Sequence, residues 1–209
     1  GRIEAAKTVT VAGVGITNIN GAITGKSLSA NSQNQAFDNT HGKLIARGNG
    51  GADTLDVQSG VFTNDSGLVQ GASSLDIKTH GQQLTNTNSG TSNGIVGRGS
   101  VRLSSGNLNN QAGYIGSNAA LTITGTALTN TQGGSIMSNA GAMLNAESLN
   151  NQGGQIQAVG NLSTTATGNT LTQSTNSNMD LDFDVQNIDS VSTYKDNVFS
   201  TLKTAYTEG

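Results

Sequence analysis

The chain has 209 residues and a net charge of −3, with aromatics at 3%, charged residues at 11%, and no Pro, Cys or Trp. Its basic residues are scattered rather than set in a stripe with aromatics, which argues against nucleic-acid binding, and no apolar run nears the ~20 residues of a membrane helix. So polar a composition suggests disorder, but the apolar residues keep a regular spacing that a disordered tract has no reason to keep.

Residues 1–12 hold a charged start and the strand-like Thr8-Val9-Thr10-Val11. This start reads as the tail of an earlier repeat, so the chain is expected to be a piece of a longer protein. From Gly13 to about Gln173 one unit recurs every ~20 to 25 residues, the signature of a repeat architecture. It runs from Ile16-Thr17-Asn18 to Ile23, Phe37-Asp38-Asn39 to Leu44, Phe62-Thr63-Asn64 to Val69, and Leu84-Thr85-Asn86 to Ile95. It continues from Leu108-Asn109-Asn110 to Ile115, Leu128-Thr129-Asn130 to Ile136, and Leu149-Asn150-Asn151 to Ile156. Each copy has an apolar residue, Asn two places on, then Gly and a second apolar residue. Short alternating runs usually follow, such as Leu55-Asp56-Val57, Leu75-Asp76-Ile77, Val101-Arg102-Leu103 and Leu121-Thr122-Ile123. Alternation of period two between Gly, Asn and Ser predicts short strands.

Propellers and sandwiches of antiparallel hairpins also use short strands, as does a parallel β-helix. The Asn positions decide for the β-helix. Stacked coils would place Asn18, Asn39, Asn64, Asn86, Asn110, Asn130 and Asn151 above one another at ~4.8 Å. Asn carries both a donor and an acceptor, so such a column can hydrogen-bond along the axis, and Asn tolerates left-handed backbone at corners. Gly42, Gly67, Gly90, Gly113, Gly134 and Gly154 are expected at a second corner position. The inward columns would be Phe37/Phe62/Leu84/Leu108/Leu128/Leu149 and Leu44/Val69/Ile95/Ile115/Ile136/Ile156. A single coil buries too little to fold alone, so neighbours complete its core. About seven coils are expected, a rod of about 35 Å. The period stretches at residues 45–54, 90–94 and 97–106, where surface bulges are predicted.

After Gln173 the pattern changes. Met179-Asp180-Leu181-Asp182-Phe183-Asp184-Val185 alternates an apolar with an Asp face, predicting a strand over 179–186. Ile188, Val191, Tyr194, Val198, Phe199, Leu202, Ala205 and Tyr206 then fall at helical spacing, predicting an amphipathic helix over 190–206 capped by Asp189 or Ser190. The chain thus divides into a repeat segment, 1–178, and a non-repeat segment, 179–209, that either caps the rod or opens a further domain.

Few residues offer chemistry. Thr24-Gly25-Lys26-Ser27 resembles the end of a phosphate loop, but the first Gly is replaced by Asn20 and no helix follows; a solvated corner is expected. Gly48-Asn49-Gly50-Gly51-Ala52-Asp53-Thr54-Leu55 is like one calcium-binding nonapeptide without its tandem copy, which such a site needs. His41 and His80 lie in different phases of the repeat, and each precedes Gly, so turns are expected and no shared metal site. Asp56 and Asp76 share a phase on an outward face. Asp180, Asp182 and Asp184 form a carboxylate row suited to a calcium ion or a basic partner surface, or to protecting an edge strand. No cofactor, metal or catalytic residue is assigned. A carbohydrate-active β-helix enzyme or a phage tailspike fragment is a third reading, and the missing acid cluster weighs against an enzyme.

Leu149-Asn150-Asn151-Gln152-Gly153-Gly154-Gln155-Ile156, preceded by Leu128-Thr129-Asn130-Thr131-Gln132-Gly133-Gly134-Ser135-Ile136, resembles the filamentous-haemagglutinin repeat. That repeat builds the large exoproteins of Gram-negative two-partner secretion, both haemagglutinin adhesins and the stick proteins of contact-dependent growth inhibition. The resemblance covers about residues 14–173. It implies a right-handed parallel β-helix that crosses an outer-membrane β-barrel transporter unfolded and folds at the cell surface or outside it, in keeping with the absence of Cys and Pro. The function so implied is a structural shaft that mediates cell contact and presents a distal binding or toxin domain. The alternative is a segment that itself recognises a target-cell receptor protein or glycan.

Overall fold

The computed structural model describes residues 1–173 and 182–183. These residues are all β, in a parallel solenoid whose first sheet has eight strands, one per coil. The fifth coil shows the plan. Gly94–Gly97 lies in the first sheet, Ser100–Ser104 on a second face and Asn107–Asn109 on a third. All described strand pairs are parallel, and the register runs coil to coil, for example Val101 with Leu75 before it and Leu121 after it; it shifts once, between Ala146 and Ser148 in the pairing of Ala142–Asn151 with Leu162–Gln173. The second and third faces form one continuous sheet because Ala142–Asn151 spans both. In earlier coils a corner separates these faces; by the seventh coil the corner has disappeared.

Period-two alternation sends every second side chain into the prism. The predicted columns are present. Leu44, Val69, Ile95, Ile115, Ile136 and Ile156 stack in register and are fully buried. Phe37, Phe62, Leu84, Leu108, Leu128 and Leu149 do likewise on the third face. The Phe37 and Phe62 rings meet edge to face, with centroids 5.2 Å apart. The second face adds Leu28, Leu55, Leu75, Val101 and Leu121.

Several expectations need correction. There are eight coils rather than about seven, because the long strand Leu162–Gln173 brings Gln173 into register with Asn151 and the Asn tally stops one coil early. Residues 97–106 are not a bulge. Gly94–Gly97 passes to Ser100–Ser104 across two residues, as an ordinary coil does, and the extra length lies wholly in 88–93. The bulge at 45–54 is present as the link between Lys43–Ala46 and Thr54–Gln58. Gly90 sits in the inserted loop, and Ser89 takes its expected corner place. The predicted strand over 179–186 is described only at Asp182–Phe183, which pairs with Ser163 and Thr164. The predicted helix over 190–206 lies outside the described residues, among which no helix is long and apolar enough to cross a membrane.

Candidate functional site

The Asn column is the most ordered polar feature. Asn18 Nδ2 donates to Asn39 Oδ1 at 2.7 Å, Asn39 to Asn64 at 2.7 Å, and Asn64 to Asn86 at 2.8 Å. Asn86 donates to Asn110, Asn110 to Asn130 and Asn130 to Asn151, each at 2.7 Å. Every link runs the same way. The second amide hydrogen reaches a carbonyl, as from Asn130 to Gln155 O at 3.0 Å. From Asn39 to Asn151 these side chains are 0% exposed. A buried amide left unpaired costs about 1–3 kcal/mol, so the column stands only as a complete set.

The turn below the column has a different logic from the one expected. The column Asn residues are not left-handed. The left-handed position lies two residues on, at Asn20, His41, Ser66, Asn88, Ala112, Gln132 and Gly153. The residue before the column opens the turn when it is Asp or Asn: Asp38 Oδ1 accepts from Thr40 N–H at 2.9 Å and Asn109 Oδ1 from Gln111 N–H at 3.1 Å. Gly follows because there is no space. A Cβ on Gly113 would lie 1.9 Å from Asn86 O of the preceding coil.

Two stretches that the sequence presented separately meet at the corner between the first and second faces. Asp53 folds back into its own loop, where Oδ2 accepts from Gly50 N–H at 2.7 Å. Lys26 Nζ, one coil earlier, stands 3.5 Å from Oδ1. Ser27 Oγ accepts from Thr54 N–H at 3.2 Å, and Asp53 O accepts from Ser73 N–H at 2.9 Å. The Asp53 side chain is only 8% exposed. The phosphate-loop-like and calcium-loop-like segments therefore form one clamp, whose carboxylate is used by a backbone amide and a lysine. Among the described residues no three His, Cys, Asp or Glu side chains gather as metal ligands.

The remaining candidates stay apart. His41 and His80 occupy left-handed turn positions at different corners, as their following glycines suggested. Asp56 and Asp76 are in register; Asp56 accepts from Gln58 Nε2 at 2.9 Å, and Asp76 faces Arg102 at 3.9 Å. The loop 88–93 is tied at its start, where Thr87 Oγ1 and Asn88 Nδ2 both donate to Asp65 Oδ1 at 2.7 Å. Asp182 opens the short added strand, while Asp180 and Asp184 lie outside the described residues. Two ion pairs have no signal in the sequence, Lys26–Asp53 and Arg47–Glu4, the latter at 2.6 Å. Both join residues of different coils, and only knowledge of how corners stack would pair them. The Arg47 hydrogen bond holds the exposed Glu4 carboxyl below its usual value against the opposing effect of desolvation, and the charges of Arg2 and Arg47 add to the lowering.

The fold and these surfaces define a parallel β-solenoid rod. Comparison with known proteins finds no matching family model, no matching curated protein and no matching solved structure.

Proposed function

We propose that this chain is a shaft segment of a large filamentous exoprotein, secreted or displayed on a Gram-negative cell surface, that mediates contact and carries a distal binding or toxin domain. The observation that supports the reading most is the unbroken stack of eight coils with its continuous amide column. A rod of ~4.8 Å per coil, hydrogen-bonded along its whole axis, suits a spacer that must not bend. The likeness of residues 128–156 to the filamentous-haemagglutinin repeat supplies the biological setting and, with it, export through an outer-membrane β-barrel transporter. No residue has a catalytic role in this reading, and no cofactor is required.

The second reading makes this segment the receptor-binding part of a contact-dependent growth inhibition protein, with the Asp180, Asp182 and Asp184 row against a basic partner surface. Its support is the break in the repeat after Gln173. Binding of labelled protein to bacteria and to epithelial cells, followed by flow cytometry, tests both readings. Saturable binding to bacteria alone, lost on replacing the three Asp residues with Asn, would favour receptor recognition. Binding to epithelial cells would favour a host adhesin, and binding to neither would leave the shaft.

A further inference from the structure

The outward side of the first sheet carries a second kind of surface. One outward row runs in register from Thr24 to Gln157, and Gly116 is its only glycine, between Val96 of the preceding coil and Met137 of the next. The empty place is filled by Tyr114, two residues earlier on the same strand. A Cβ at Gly116 would lie 2.7 Å from Tyr114 Oη and 2.8 Å from its Cε1. The phenol therefore lies down along the sheet, and Val96 and Met137 flank the place it covers. Tyr114 is half-buried, and its hydroxyl makes no hydrogen bond among the described residues. Gln155 and Gln157 lie exposed beyond it on the last strand of this sheet.

Charge restricts what this surface suits. Residues 103–146 contain no Asp, Glu, Lys or Arg. Arg98, at the edge, is engaged by Gln70, whose amide oxygen in its satisfied orientation accepts from Arg98 Nη2 at 3.1 Å. Size restricts it too. Three coils of a four-residue strand offer about 190 Å², far below the ~800 Å² per partner of a stable protein interface, yet enough for one or two sugar rings. An aromatic ring with apolar flanks and a few polar groups at its rim offers a stacking face together with hydrogen-bond partners.

We infer that Tyr114, lowered onto Gly116, is a platform for the C–H face of a neutral hexopyranose, with its hydroxyl and the Gln155 and Gln157 amides as hydrogen-bonding partners. This gives the contact reading above a ligand class. Saturation-transfer NMR of the whole chain with cellohexaose, maltohexaose and chitohexaose, and with dextran sulfate as the anionic probe, tests it. Transfer to at least one neutral oligosaccharide is expected, unchanged by raising salt. Tyr114→Phe should keep the signal but weaken it, since the stacking face remains and one hydrogen bond is lost. Tyr114→Ala should abolish it, and so should Gly116→Val, which forces the ring off the sheet while leaving it in the chain. Circular dichroism and melting, followed for each variant, separate lost binding from lost fold. Transfer to dextran sulfate alone, to no probe, or undiminished in both Tyr114→Ala and Gly116→Val would overturn the inference while leaving the rod and its spacer role intact.

Discussion

Each column Asn from Asn39 to Asn130 accepts from one neighbour and donates to the next, so a substitution there harms two residues besides the one replaced. Asn130→Leu orphans the donor of Asn110 and the acceptor of Asn151. A loss of about 1–3 kcal/mol is expected in denaturant unfolding, and a neutral result would remove the column as a source of stability. The turn beneath it invites the opposite experiment. Ala112 sits at φ 49°, where an L-residue is strained by roughly 1–2 kcal/mol and Gly is not. After the entropy that Gly loses on folding, Ala112→Gly should stabilise by up to about 1 kcal/mol, read as a higher Tm. The column itself was legible because one residue type recurred at one phase. The strained position was not, because Asn, His, Ser, Ala, Gln and Gly all occupy it, and a backbone requirement met by six residue types leaves no pattern.

Corners, more than strands, distinguish one coil from another. The clamp at residues 47–53 depends on a carboxylate that serves the Gly50 amide and Lys26 together. Asp53→Ala should leave the eight coils intact but raise hydrogen exchange at Gly50 markedly; unchanged protection would show that the loop holds itself. In the first strand, Glu4 pairs with Arg2 of the same strand and with Arg47 of another coil. Its depressed pKa means that the pairing helps above the unfolded-state value and is lost as pH falls through the lower folded-state value. Native-state exchange of first-coil amides should therefore differ between wild type and Glu4→Gln at neutral pH. The difference should vanish in acid, and it should shrink in high salt because the group is exposed. Strand positions were legible from alternation. The placing of insertions was mostly so: the stretches expected at 45–54 and 90–94 fall on the links 47–53 and 88–93, but a third was also expected at 97–106, because a repeat seen only in sequence does not say on which side of a strand its surplus falls.

A solenoid is nearly one-dimensional, with each coil touching only its neighbours, so its stability grows by addition. Removal of residues 108–127, one register period by the pairing of Leu108 with Leu128, should give a shorter rod that still folds and melts at a lower temperature. Removal of half that length should abolish the single cooperative transition, because a coil cut to half cannot close and the later coils no longer stack on the earlier ones. Equal damage from the two deletions would contradict the stack. The overall architecture was open to sequence reading because identical neighbours reinforce one signal. The tail after Gln173 has no such neighbour, so its alternating Asp row supports only a local expectation. The platform at Tyr114 was hidden for a related reason: a glycine in this chain usually marks a corner, and Gly116 lies in the middle of a strand.

The amide column has a direction as well as a strength. Strand backbones in a sheet largely cancel one another's dipoles, but the links from Asn18 to Asn151 all point one way. Amide moments of about 3.5 D each therefore add along the axis, and each link polarises the next. The rod is electrically polar at its centre, with an oxygen-bearing, negative tip at the first coil and a hydrogen-bearing, positive pole toward the last. Two such rods side by side would attract when antiparallel and repel when parallel, a preference built into the core and untouched by the residues on the surface.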